Sequence, residues 1–426
     1  MRVATSMMQQ LGVSAMLEQQ AKMLNTQLQL ASGRRILTPA DDPAGASRAL
    51  NLNQALESTK QFQANSQFAL SRLNLEESTL SSATDLLDRV RVLAVQAKNA
   101  SQTNETRRFI ASEVRERFSE LLQIANTRDG QGEYIFAGTR TRTQPFVLEN
   151  GEVVYNGDQT RRNIQIGPSR QVTDGDPGWD VFMAVRNGDG SVVSYDGVNN
   201  RGNAMIQQTG IRNFSDYVPD EYQVTIAQNS DGALVYLVSG TEGGYLVPPP
   251  PDPLPPGYDP LIDSLDDAPL FTDETGLDSV TLVFNGIEMV FEGMPQPGDT
   301  FTVRPAEQQS IFRTIQNFIA ALDAGVNDEA SNARFNNAMN RVLSDIDQGL
   351  GRMLETQTSI GGRVLAIESQ NYINESYILQ TRETLSEVED LDYAEAISRF
   401  ELQRVGLQAA QQAYVKVQGL SLFNYI

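Results

Sequence analysis

Apolar positions recur at helical spacing over both ends of the chain and in short runs through the middle. Near the start, Leu17, Ala21, Leu24, Leu28 and Ala31 follow alternating steps of four and three, with Met16, Met23 and Leu30 flanking them seven apart. This stripe predicts an amphipathic helix, and Gly33 just beyond it fits a helix stop. Asp42 then suits an N-cap and Pro43 a first helical position. The helix predicted from Pro43 to about Ala97 carries Leu73, Leu80, Leu87 and Ala94 seven apart, with Leu70 beside them. Residues 101–104 break it. Thr103 or Asn104 caps another helix, with Phe109, Ile110, Val114, Phe118, Leu121 and Leu122 assigned to one side.

The far end mirrors the first. Ile311, Ile315, Phe318 and Leu322 make a short amphipathic helix, and Asn327 is the expected cap of the next. Its stripe runs Ile360, Val364, Ile367, Asn371, Asn374, Ile378, Thr381, Leu385 and Val388, with Gly361 and Gly362 weakening it without ending it. The last segment places Tyr393, Phe400, Leu407 and Tyr414 seven apart, with Ala396, Ala410 and Val417 three further on. Seven-residue spacing sustained this long predicts helices packed as a coiled coil or bundle.

The middle differs in kind. Residues 139–305 hold all the prolines except Pro39 and Pro43, together with the single Trp179. Strands are expected at 147–155 and 163–167 around a Gly157-Asp158 turn, at 233–238, and at 299–303. A hairpin is expected from 280–284 and 287–291 through Asn285-Gly286. Seven prolines between Pro248 and Pro256 predict an extended linker or stiff loop.

The fold class expected is therefore α+β. Both termini form a long antiparallel helical bundle or coiled-coil rod, and a mainly antiparallel β outer region is inserted into it. The expected divisions are an N-terminal assembly helix and turn at 1–42, the first half of the rod at 43–138, the outer region at 139–305, the second half of the rod at 306–390, and a C-terminal assembly helix at 391–426. The outermost helices each show one narrow stripe and no further partner within the bundle. A single pair of amphipathic helices is marginal alone, so these ends are expected to order on assembly; a stable terminal hairpin is the other reading.

Composition narrows the chemistry. The chain of 426 residues has no cysteine and no histidine, which removes disulfides, thiolate nucleophiles and imidazole bases. No P-loop or dinucleotide fingerprint is present. Asp174, Asp176 and Asp180 cluster, but without the length or terminal glutamate of an EF-hand loop they read as a solvated acidic turn. No cofactor, metal or catalysis is expected. The net charge of −21 divides into +2 for residues 1–140, −16 for 141–305 and −7 for 306–426. A field this negative repels nucleic acid and anionic membranes, so neither is an expected partner. The N-terminus lacks the apolar core of a cleaved signal peptide.

Three stretches carry a resemblance. Leu30-Ala31-Ser32-Gly33-Arg34-Arg35-Ile36 followed by Asp41-Asp42-Pro43-Ala44-Gly45 resembles the N-terminal motif of the flagellin family. Tyr134-Ile135-Phe136-Ala137-Gly138-Thr139, continuing to Gln144-Pro145-Phe146, is similar to the rod-to-outer-domain segment of that family's hook–filament junction branch. The ending Gly419-Leu420-Ser421-Leu422-Phe423-Asn424-Tyr425-Ile426 is similar to the terminus of the same branch. The resemblance implies a secreted, extracellular flagellar subunit, passed through a type III export channel without cleavage. It implies a ring between a neighbouring hook-associated protein and the flagellin filament, and a cytoplasmic export chaperone that holds the C-terminal helix. The residues expected to pack between neighbouring copies are Leu17, Leu24, Leu28, Tyr393, Phe400, Leu407 and Tyr414; packing within their own subunit is the alternative. A filament-forming flagellin, a glycan-binding middle domain and a lytic enzyme are the competing functions.

Overall fold

The computed structural model describes residues 5–241, 245–249, 264–272 and 279–419. The terminal motif from Leu420 onward and the proline run beyond Pro249 lie outside the described residues. Two compact units emerge. The first comprises residues 1–67, 165–170 and 367–426, and the second residues 68–164 and 171–366. The six α-helices described are α1 (Thr5–Ser32), α2 (Pro43–Lys98), α3 (Asn104–Ala125), α4 (Ile311–Ala324), α5 (Glu329–Glu389) and α6 (Tyr393–Gly419).

In the first unit, α1 and α6 pack antiparallel: the Tyr414 ring lies against Gly12 and the Tyr393 hydroxyl against Gly33. The α1 helix stops at Gly33, whose φ of 71° is the left-handed cap conformation. Backbone bonds then tie the turn to the end of α5: Arg35 N–H donates to Glu389 O at 2.7 Å, and Leu391 N–H to Gly33 O at 3.0 Å. The Arg35 guanidinium donates to Val388 O at 2.9 Å, satisfying a carbonyl that the helix end would leave orphaned. Asp42 caps α2 as expected, accepting from Gly45 N–H at 2.9 Å. Gly45 leaves room for this turn: a Cβ there would stand 2.7 Å from Ile36 Cδ1 and 2.3 Å from Asp42 Oδ2, so the side chain of Ile36 and the capping carboxylate would have to shift. The buried line of α2 and α5 in this unit mixes Ala49, Leu56, Ile367 and Ile378 with Thr59, Ser66, Gln370, Asn374 and Thr381. Asn374 donates to Ile166 O at 3.0 Å and Asn65 to Gln165 O at 2.8 Å, anchoring the 165–170 turn.

In the second unit, Leu73, Leu80, Leu87 and Ala94 of α2 are fully buried. Ile110, Val114 and Leu121 of α3, Ile311, Ile315 and Phe318 of α4, and Met339, Ile346 and Met353 of α5 belong to the same buried set. Phe109 departs from the expected face of α3: it is 67% exposed, because Ile110, Val114 and Leu121 define the buried side. The cap of α5 is Asp328 and not Asn327, since Asp328 Oδ1 accepts from Ser331 N–H at 2.7 Å. Phe136, Phe146, Phe182 and Phe312 close the helical core with edge-on and tilted rings 5.1–6.1 Å apart.

Apart from Gln165 at the end of the third strand, the sheets belong to this unit too. Strands β1 (Phe146–Glu149) and β2 (Glu152–Tyr155) form their own hairpin, correcting the expected single run over 147–155. Asn150 and Gly151, at φ 52° and 87°, supply the turn that a two-residue hairpin needs. Gly157-Asp158 is not a hairpin tip; Asp158 accepts from Thr139 N–H at 3.1 Å and Thr160 N–H at 2.9 Å. Strand β3 (Asn163–Gln165) belongs to a separate two-stranded sheet with β4 (Gln171–Thr173), and β5 (Val185–Arg186) to another with β14 (Gln308–Gln309). The outer core lies between two larger sheets. In one, β8 (Tyr222–Gln228) is flanked by β9 (Leu234–Ser239) and β13 (Thr300–Pro305), with β10 (Tyr245–Val247) and β6 (Val192–Asp196) at the edges. The other runs β11 (Ser279–Phe284), β12 (Ile287–Glu292), β7 (Met205–Ile211). All these pairings are antiparallel, and the Asn285-Gly286 hairpin forms as expected, with Phe284 opposite Ile287. Val224, Phe291, Phe301 and Val303 fill the space between the sheets.

Candidate assembly interface

The α1 sequence carries two stripes offset by one residue, and the structure assigns them different neighbours. The stripe turned toward α6 is Gly12, Met16, Gln19, Met23, Thr26 and Leu30, in steps of four and three. Only Thr26 of these is buried; the others are half-buried. The Leu-rich stripe faces outward: Leu17 is 61% exposed, Leu24 50% and Leu28 58%. On α6, the buried and half-buried positions are Ala396, Phe400, Gln403, Gly406, Leu407, Ala410 and Tyr414. The side chain of Val417 lies outside those described.

Of the seven residues expected at the interface, Phe400, Leu407 and Tyr414 thus lie on the α6 seam within the subunit. Leu17, Leu24, Leu28 and Tyr393 remain exposed. Counting along the sequence found the α1 leucines because they are the larger residues; the seam itself was signalled only by Met16, Met23 and Leu30. Exposed Met7 and Leu11 on α1, and Ile397, Leu402, Val405 and Val415 on α6, were not singled out from the sequence. Both helices of this pair therefore carry several exposed large apolar side chains.

Electrostatics add little to this surface. Its ion pairs are short-range and exposed, such as Lys22–Glu18 at 2.8 Å and Arg399–Glu395 at 2.6 Å. Exposed i,i+4 pairs of this sort contribute a few tenths of a kcal/mol. The Asp cluster of the second unit offers no vacant carboxylates: Asp174 is paired with Arg162, Asp176 with Arg363, and Asp180 with Arg161 at 2.9 Å. No group of residues arranged to hold a metal occurs among the described residues, and none of the described helices is long and apolar enough to cross a membrane.

Residues 3–141 match the family model of the bacterial flagellin N-terminal helical region. Over 425 residues the chain is 23% identical to flagellar hook-associated protein 3 of Escherichia coli K12, spanning 100% of this chain and 99% of that one. The crystal structure of flagellar hook associated protein-3 from Legionella pneumophila superposes with a TM-score of 0.73 at 35% identity, covering 79% of this chain and 98% of that chain. The Xanthomonas campestris protein FlgL superposes at 0.67 with 29% identity, covering 79% of this chain and 99% of that one. Long N- and C-terminal helices and antiparallel sheets, together with these matches, define a structural protein of the flagellin class. Within that class the chain belongs to the flagellar hook-associated protein 3 family.

Proposed function

We propose that this chain is an axial structural subunit of the bacterial flagellum and forms the junction ring between a neighbouring hook-associated protein and the flagellin filament. It works by assembly and carries out no chemical step. The observation that carries this reading is the outward leucine stripe of α1 beside the exposed apolar residues of α6. Neighbouring copies cover both, and the terminal helices consolidate as they do so. Burying one large apolar side chain contributes roughly 1.5–3 kcal/mol, so a few such residues repeated in every copy suffice to hold a ring. Each subunit leaves the cell through the flagellar export channel without cleavage, with a cytoplasmic chaperone covering the C-terminal helix beforehand.

The Leu17→Asp/Leu24→Asp double variant tests this. It is expected to yield a folded subunit that fails to enter flagella. Normal incorporation would overturn the reading. Deletion of the gene is expected to abolish swimming, retain hooks and shed flagellin into the medium; filaments of normal length would contradict a junction role.

A further inference from the structure

A buried ionic cluster in the second unit is left unused by assembly. It joins α2 to the turn at 174–176 that follows β4. The pairs are nearly one to one. Arg72 of α2 donates to Asp129 at 2.8 Å, Arg162 pairs with Asp174, Arg363 of α5 with Asp176, and Arg161 with Asp180 at 2.9 Å. Two carboxylates are left over. Glu133 is partly exposed and stands 3.6–4.0 Å from Arg162 and Arg72, so water and those charges serve it. Glu76, one turn along α2 from Arg72, is 1% exposed and forms no ion pair among the described residues. Its Oε1 accepts from Asp176 N–H at 3.0 Å, while its Oε2 is buried with no hydrogen-bond partner.

We propose that Glu76 is a proton-controlled latch: as the neutral acid it closes the seat of the 174–176 turn on α2, and on losing its proton it loosens that turn. The geometry gives the reason. An ionised Glu76 would place a charge in the interior with no ion pair of its own, beside the Asp176 carboxylate and only partly offset by the charges of Arg363 and Arg72. The two arginines whose charge reaches it are shared with other carboxylates: Arg363 pairs with Asp176 and the Arg72 terminal nitrogen with Asp129, while the Arg72 Nε, like Glu76 Oε2, is buried without a hydrogen-bond partner beside Gly175. Removing charge from water without a partner is the expensive case. Burial, reinforced by the charge of Asp176, pushes the carboxyl up to about 8.

The sign follows from linkage. The folded chain holds this proton more tightly than the unfolded chain, so the stabilisation is complete below about 4.5, the ordinary value. It is lost as pH rises toward about 8, and levels off above that. Hydrogen exchange of the full chain, corrected for the intrinsic base catalysis of exchange, tests the latch. At pH 5 residues 174–176 are expected to be equally protected in the wild type and in Glu76→Gln. At pH 9 the wild-type turn is expected to open at least tenfold more often than the variant's. Equal protection of the two proteins at pH 9 would overturn the proposal. Should Glu76→Gln fail to fold, infrared titration of the wild type decides: a buried carboxyl that loses its proton near pH 8 supports the latch, and full ionisation of every carboxyl by pH 7 excludes it.

Discussion

The heptad stripe of α2 in the second unit and the stripe of α1 in the first are written in the same style and have opposite fates. Leu73, Leu80 and Leu87 are wholly buried, whereas Leu17, Leu24 and Leu28 are half or more exposed. The difference lies in how many partners each helix has. In the second unit α2 and α5 are accompanied by α3 and α4, so an apolar stripe meets helices of its own chain. In the first unit α1 meets α6 along one narrow seam of glycine, methionine, glutamine and threonine. Seven-residue spacing therefore locates a sticky face without saying whether the same chain covers it. Where it does, the leucines build the fold; where it does not, they are available to a neighbour.

The largest effect expected from this contrast is on folding. Leu80→Ala removes a fully buried side chain and leaves a cavity, and substitutions of this type cost about 2–5 kcal/mol. Denaturant unfolding of the isolated subunit should shift by that amount. A change below about 0.5 kcal/mol would mean that the second unit does not rely on this core, and would remove the distinction between the two stripes.

A smaller effect is expected at the turn joining α1 to α2. Gly45→Ala would push a methyl into Ile36 and into the Asp42 carboxylate that caps α2. Loss of an N-cap costs about 0.5–2 kcal/mol. The readout is faster hydrogen exchange over residues 34–46, with protection of Leu80 and its neighbours unchanged. Faster exchange throughout the chain would show that the turn and the second unit unfold as one and are not independent.

Much of the fold was legible in the sequence because its signals are local. The caps at Asp42 and Thr103, the stop at Gly33 and the Asn285-Gly286 hairpin each depend on residues within a few positions of one another. The Asn150-Gly151 hairpin carries the same signal, but the neighbouring Gly157-Asp158 pair competes with it in the sequence; in the fold Asp158 is occupied by the amides of Thr139 and Thr160. The interface was only partly legible. Residue spacing put Leu17 and Phe400 in one set, yet α1 turns Gly12, Met16 and Met23 toward α6, and the choice between stripes one residue apart is made by packing across nearly four hundred positions. Glu76 gave no sign at all, because its environment is assembled from α2, α5 and three separate loop segments.

The finest test separates the two stripes of α1 directly. Met23 lies half-buried on the seam and Leu24 is 50% exposed, so adjacent alanine substitutions sample the two faces of one helix turn. In the free subunit Met23→Ala should destabilise the α1–α6 pair by about 1 kcal/mol, part of the loss for a fully buried side chain. Leu24→Ala should stay within about 0.5 kcal/mol, as surface substitutions usually do. On the proposed assembly, in which a neighbouring copy covers Leu24 and not Met23, incorporation into flagella should reverse that order. Competition between variant and wild-type subunits for places in the same flagella measures this with no threshold of motility to cross. If Leu24→Ala competed as well as the wild type while Met23→Ala was excluded, the seam would be the element on which assembly depends, and the leucine stripe would be merely exposed.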